Sequence, residues 1–104
     1  MRIIALFNLK PGVAIADYEA WAAKRDMPGV RSLVSVKDFN VYRTTGVLFA
    51  DGAPPYQYVE VLDISHMDEF NKDCAGDLVS QLGSELAAYA DNAVFMTTEL
   101  LMEG

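Results

Sequence analysis

The chain predicts an α+β domain, an antiparallel four-stranded sheet with two helices on one face, in the order β-α-β-β-α-β. Three observations carry that expectation. Four apolar or β-branched runs have the length and content of strands, at residues 2–9, 33–45, 56–62 and 93–101. Two of the stretches between them repeat apolar residues at helical spacing. The first strand is apolar on both faces, so the sheet has surface to bury on the side that two helices leave open.

Residues 2–9 contain Ile3, Ile4, Ala5, Leu6 and Phe7 with little alternation, and Pro11-Gly12 ends the run. Over 16–27, Tyr18, Trp21, Ala22 and Arg25 fall on one helical face, and Glu19, Lys24 and Asp26 fall elsewhere. Tyr18 and Trp21 read as core in preference to ligand-stacking residues. Asp17 and Glu19 suit the positive start of that helix, Lys24 and Arg25 its negative end, and Pro28-Gly29 is expected to stop it. The run "LVSVKDFNVYRTT" at 33–45 reads as a strand with one wetter face. Its Tyr42 and Arg43 suit an anionic or aromatic ligand, and equally suit plain strand pairing. Residues 46–55 connect, through an Asp51-Gly52 turn and a Pro54-Pro55 pair that no central strand accepts. The third strand follows at 56–62.

Ser65 then reads as a helix N-cap, with Asp68 reaching back to it. Phe70, Cys74, Leu78, Leu82 and Leu86 recur every four residues, and a break is expected near Gly76. Asp91-Asn92 ends the helix before the last strand, "AVFMTTELL" at 93–101. This is the ferredoxin-like split arrangement. A second copy of the chain would cover the open sheet face, so a homodimer in the form of a dimeric α+β barrel is expected.

Length fits a single domain over 1–104. An apolar content of 52% excludes a disordered tail. The net charge of −7, with eight Lys and Arg scattered along the chain, excludes nucleic acid and argues against an anionic membrane surface. No run approaches a membrane span, and "MRIIALF" is cut short by Asn8, Lys10 and Pro11, so a cytosolic (cytoplasmic) protein is expected. Cys74 is the sole cysteine, which leaves no internal disulfide, and Asp73 and Asp77 beside it disfavour a thiolate. One His, one Cys and dispersed carboxylates suggest no metal site, and nucleotide-binding and hydrolase motifs are missing, so no cofactor is expected.

The strongest candidate site lies in "YQYVEVLDISH", residues 56–66. On a strand, Tyr56, Tyr58 and Glu60 share one face, a row that suits a cleft between sheet and helices. His66, the only histidine, follows at the first turn of the second helix. A carboxylate beside an imidazole is a workable acid–base pair, Glu60 orienting the ring and His66 moving the proton. The plainer reading pairs Glu60 with Arg43 or Lys37 across the sheet, a pair that the dimer interface could equally hold, and leaves His66 solvated. Asn8 and Glu99 are further hydrogen-bonding candidates for substrate in the same cleft.

The segments "DYEAWAAKRDMPGVRSL", "FNVYRTTG" and "PYQYVEVLDIS" resemble the RedY-like, HapK-type proteins of prodiginine (prodigiosin-type) pigment pathways, across nearly the whole chain. The resemblance implies a dimeric α+β barrel and a part in bacterial tripyrrole (antibiotic pigment) biosynthesis, in the branch that assembles a methoxy-bipyrrole aldehyde. It carries no catalytic residues over. Fold relatives of that kind include cofactor-independent monooxygenases, lactone isomerases and haem-degrading enzymes, and fold alone does not assign function. Three functions stand open: a cofactor-free cyclase, dehydratase or isomerase acting on a flat, largely apolar pyrrolic or keto-amine intermediate; a non-catalytic protein that holds an intermediate or assists other pathway proteins; and a monooxygenase.

Overall fold

Alternation along the strands decides which face of the sheet meets the helices, and the computed structural model, which describes residues 1–102, follows it closely. The elements are β1 (Arg2–Leu9), α1 (Ile15–Trp21), a π-helical turn (Ala22–Asp26), α2 (Met27–Arg31), β2 (Val36–Arg43), β3 (Tyr58–Ile64), α3 (Met67–Cys74), α4 (Asp77–Tyr89) and β4 (Ala90–Thr97). The strands lie in the order β2-β3-β1-β4, each neighbour antiparallel, which is the ferredoxin-like fold.

On the inner face, Ile3, Ala5, Phe7 and Leu9 of β1 are buried, as are Tyr58, Glu60, Leu62 and Ile64 of β3. The core divides into two clusters. One gathers Phe7, Tyr18, Trp21, Tyr58, Leu82 and Leu86; the other gathers Ile3, Val36, Phe39, Leu62 and Ile64. Glu60 stands between them on β3. On the outer face, register places Ile4 and Leu6 of β1 beside Val61 and Val59 of β3 and beside Met96 and Val94 of β4. The β1 and β3 members are half-buried, whereas Val94 and Met96 are exposed. This apolar face carries no helix.

Several expectations about boundaries need correction. Pro28-Gly29 does not stop the first helix, which runs on to Arg31. The π-helical turn, marked by the Met27 N–H donating to the Ala22 carbonyl five residues back, begins a fresh segment in which Pro28 sits at the first turn. There its missing N–H costs little. Gly29 lets α2 approach α4 closely, since a Cβ there would lie 2.9 Å from Cδ1 of Leu82. The second strand is trimmed to Val36–Arg43 and the third shifts to Tyr58–Ile64.

His66, not Ser65, is the N-cap of α3, and it makes no side-chain cap bond. The Ser65 hydroxyl reaches Glu69 at 3.3 Å instead of the Asp68 backbone. The break near Gly76 is present, with α3 ending at Cys74 and α4 starting at Asp77. The last strand begins earlier than expected, at Ala90, and ends at Thr97. Asn92 takes a left-handed φ of 54° within it, where the pairing with β1 shifts register between Leu6 and Asn8. Asparagine tolerates that conformation better than most residues, so a bulge replaces the expected helix end.

Candidate functional site

Between the inner face of the sheet and the helices lies a cavity of about 330 Å³. Its walls are mostly apolar, with Ile3, Leu62, Val30, Phe70 and Leu86 among them, and Phe95 and Thr97 of β4 on one side. Two carboxyl groups, Glu60 and Asp26, join that lining. A volume near the lower end of the ligand-pocket range suits a small ligand.

Glu60 faces inward because strand alternation leaves it no choice. Its cross-strand neighbours are Ala5 on β1 and Val41 on β2, which offer no charge. Only 1% of its surface is exposed, and Oε1 has no hydrogen-bond partner among the described residues. Burial pushes its carboxyl up to about 8, the nearby charge of Asp26 adds to the rise, and the Tyr18 hydroxyl acts in the opposite sense. Tyr18 is itself fully buried, and its hydroxyl likewise lacks a partner of normal geometry. Burial first, and Glu60 second, hold that phenol well above its ordinary range.

Asp26 reaches the cavity through the π-helical turn. A regular α-helix would point Arg25 along the face of Tyr18, Trp21 and Ala22, but the wider turn advances the phase by about one residue. Asp26 is therefore buried, with 5% exposure, and Arg25 is turned outward. Arg25 pairs there with Glu85 of α4, Nε to Oε1 at 3.0 Å and one terminal nitrogen to Oε2 at 2.8 Å. The Trp21 ring N–H donates to Glu85 Oε1 at 2.8 Å, which ties α1 to α4. Burial raises the Asp26 carboxyl to about 6, and the Glu85 charge adds to it.

The two carboxyls are thus held at different proton affinities in one apolar space. Environments that separate two such groups are those that assign an acid and a base. Because the pair interacts, its titration belongs to both groups together. Cys74 also lines the cavity, and burial followed by the Asp73 charge raises its thiol. Among the described residues, no three His, Cys, Asp or Glu side chains gather as a metal-binding group.

The other residues singled out from the sequence lie elsewhere. His66 is exposed at the start of α3 and takes no part in the cavity lining. From Glu60 to Ile64 alone is about 13 Å of strand, and His66 lies beyond that end. Tyr58 is buried in the aromatic cluster, with its ring centroid 4.7 Å from that of Tyr18. Its hydroxyl donates to Glu19 Oε2 at 2.7 Å, and Glu19 in turn pairs with both Arg43 donors. Arg43 is therefore engaged by Glu19 rather than by Glu60.

Tyr56 is exposed in the loop before β3. Asn8 holds that loop, its Nδ2 donating to the Pro55 carbonyl at 3.1 Å and its Oδ1 accepting from the Gln57 N–H at 3.0 Å. Glu99 is exposed beyond the end of β4. Asp26 is the cavity residue that the sequence reading missed, whereas Tyr18 lies in the core as expected. A carboxylate just before a Pro-Gly pair that fails to end a helix is the signal that would have found Asp26.

A family model described as REDY-like protein HapK matches residues 1–101. Among solved structures, HapK from Hahella chejuensis is similar at 26% identity and a TM-score of 0.74, covering 100% of this chain and 96% of that one. A dimeric ferredoxin-like protein of unknown function from Thermobifida fusca matches at 19% identity and TM-score 0.71, over 95% of this chain and 89% of the other. SnoaB, a cofactor-independent oxygenase from Streptomyces nogalater, matches at 16% identity and TM-score 0.71, over 98% and 96%. The last two likenesses concern the fold. No curated protein sequence matches the chain.

Proposed function

This chain belongs to the REDY-like HapK family, and from that premise we propose that it is a cofactor-independent enzyme of secondary-metabolite biosynthesis. The reaction is acid–base chemistry on an apolar intermediate of a prodigiosin-type tripyrrole pathway. The observation that carries the proposal is Glu60, almost fully buried with an unpartnered oxygen on the wall of the cavity.

Near neutral pH the Glu60 carboxyl, raised to about 8, is mostly protonated, while Asp26, raised to about 6, is mostly ionised. Glu60 gives its proton to a carbonyl or departing hydroxyl oxygen of the ligand. Asp26 accepts a proton from the adjacent carbon or nitrogen. The sum is a tautomerisation or a dehydration, and exchange with water afterwards restores the proton to Glu60. Reactions of this kind need positioning and one well-matched acid–base pair, and the apolar walls with two carboxyls support that reading.

A homodimer is part of the proposal, supported by the helix-free apolar outer face of the sheet. A second reading, direct use of oxygen on an electron-rich ring, rests on fold likeness to SnoaB alone.

The experiment is Glu60→Gln in a pigment-producing host that depends on this chain, with mass spectrometry of intermediates, light-scattering mass and oxygen uptake of the purified protein. The proposal expects a folded dimer, accumulation of one intermediate, and turnover reduced by roughly 100-fold or more. Unchanged pigment from the variant sinks the acid–base role. A monomer at micromolar concentration sinks the dimer, and stoichiometric oxygen consumption moves the reading to oxygenation.

A further inference from the structure

The cavity lining also sets the charge of what enters. Among the described residues, no Lys, Arg or His contributes to it, and its ionisable groups are Asp26, Glu60 and Cys74. No cation in that lining pairs with either carboxyl. The nearest cation along the helix, Arg25, faces outward onto Glu85, and Arg43 is committed to Glu19.

A buried oxygen without a donor costs the folded protein stability, and Glu60 Oε1 is such an oxygen. Phe39, Phe70 and Phe95 add aromatic surface to the same walls. Flat rings pack on such surfaces, and cations are drawn to their faces. An anionic ligand would bring a further negative charge into an apolar space that already holds a carboxylate. A cationic N–H group supplies the missing donor and the missing charge at once.

We propose that the cavity takes a flat, apolar ligand bearing an ammonium, amidinium or protonated ring nitrogen, whose N–H groups bond to the carboxyls of Asp26 and Glu60. This rests on the cavity being the substrate site, and it narrows the substrate to a basic nitrogen compound rather than a carboxylic acid.

Three probes of one shape test it: benzylamine, benzyl alcohol and benzoate, titrated into the full chain at neutral pH and followed by NMR of cavity-lining residues. Benzylamine is expected to bind about tenfold or more tighter than benzyl alcohol, with benzoate weakest, one decade being a 1.4 kcal/mol preference. Asp26→Asn is expected to reduce the preference to within about threefold. Benzoate binding as well as benzylamine overturns the proposal. So does no binding by any probe, or a preference that survives in both Asp26→Asn and Glu60→Gln.

The outcome is independent of catalysis. If benzylamine is preferred but Glu60→Gln leaves pigment unchanged, the ligand class stands and the acid–base function falls. If benzoate is preferred while Glu60→Gln still blocks the pathway, the reverse holds.

Discussion

Glu19 and Glu60 are two glutamates placed near tyrosines, yet their settings hold them at opposite ends of the carboxylate range. Glu19 accepts from the Tyr58 hydroxyl and pairs with Arg43 at the edge of the domain; the Arg43 and Tyr58 hydrogen bonds lower it to about 2. Glu60 lies among apolar neighbours, with one oxygen bare, and burial lifts it to about 8. The residue type is the same, and the number of satisfied hydrogen bonds and the access of water decide the difference. Polar groups satisfied within the fold support architecture; those left unsatisfied in a cavity are available to a ligand.

The largest expected break in that contrast comes from Glu60→Gln. The folded Glu60 carboxyl titrates at about 8, above its ordinary value of 4.5, so its contribution is fully present below about 4.5 and is lost as pH rises through about 8. The neutral amide avoids that loss. Thermal melts should therefore show the variant little changed at pH 4.5 and more stable at pH 8. The gain is at most about 4 kcal/mol, or on the order of 20 °C for a domain of this size. Equal melts at pH 8 would mean that Glu60 is not desolvated.

Asp26→Asn sharpens the comparison with an intermediate effect. Removing the Asp26 charge takes away one cause of the Glu60 rise, so carbon-detected NMR of the Glu60 carboxyl should show its titration moving below about 8. A midpoint that stays put would separate the two groups electrostatically. Glu19→Gln is the smallest change and the opposite in sign. The folded Glu19 carboxyl is depressed, so its stabilisation is present above about 4.5 and fades as pH falls through about 2. The variant should lose a little stability at pH 7, no more than a surface ion pair supplies, and almost none at pH 2. A loss at pH 7 as large as the gain from Glu60→Gln would remove the distinction.

Much of the fold was legible because period-2 and period-3.6 patterns report burial directly. Glu60 stood out as a charge inside an apolar strand, and alternation put it on one face with Tyr56 and Tyr58 without saying whether that face met the helices or a second copy of the chain. What no pattern stated was its depth, since a shallow cleft and a deep cavity ask for the same alternation. Asp26 was hidden by a regular-helix assumption that put Arg25 on the buried face. The π-helical turn moves the phase, and it leaves only an indirect trace in Pro28-Gly29. His66 shows the converse error, nearness in sequence taken for nearness in space, when an extended strand carries the chain away at full stride. Tyr58 shares the inner face with Glu60, but it packs in the aromatic cluster outside the cavity lining and its hydroxyl donates to Glu19.

The close approach at Gly29 has one more consequence. Leu82 both lines the cavity and stands 2.9 Å from where a Cβ on residue 29 would be. Even a single methyl there must push Leu82 or separate the two helices. A side chain at position 29 would therefore be felt in the cavity wall through Leu82, although residue 29 itself lies outside that lining.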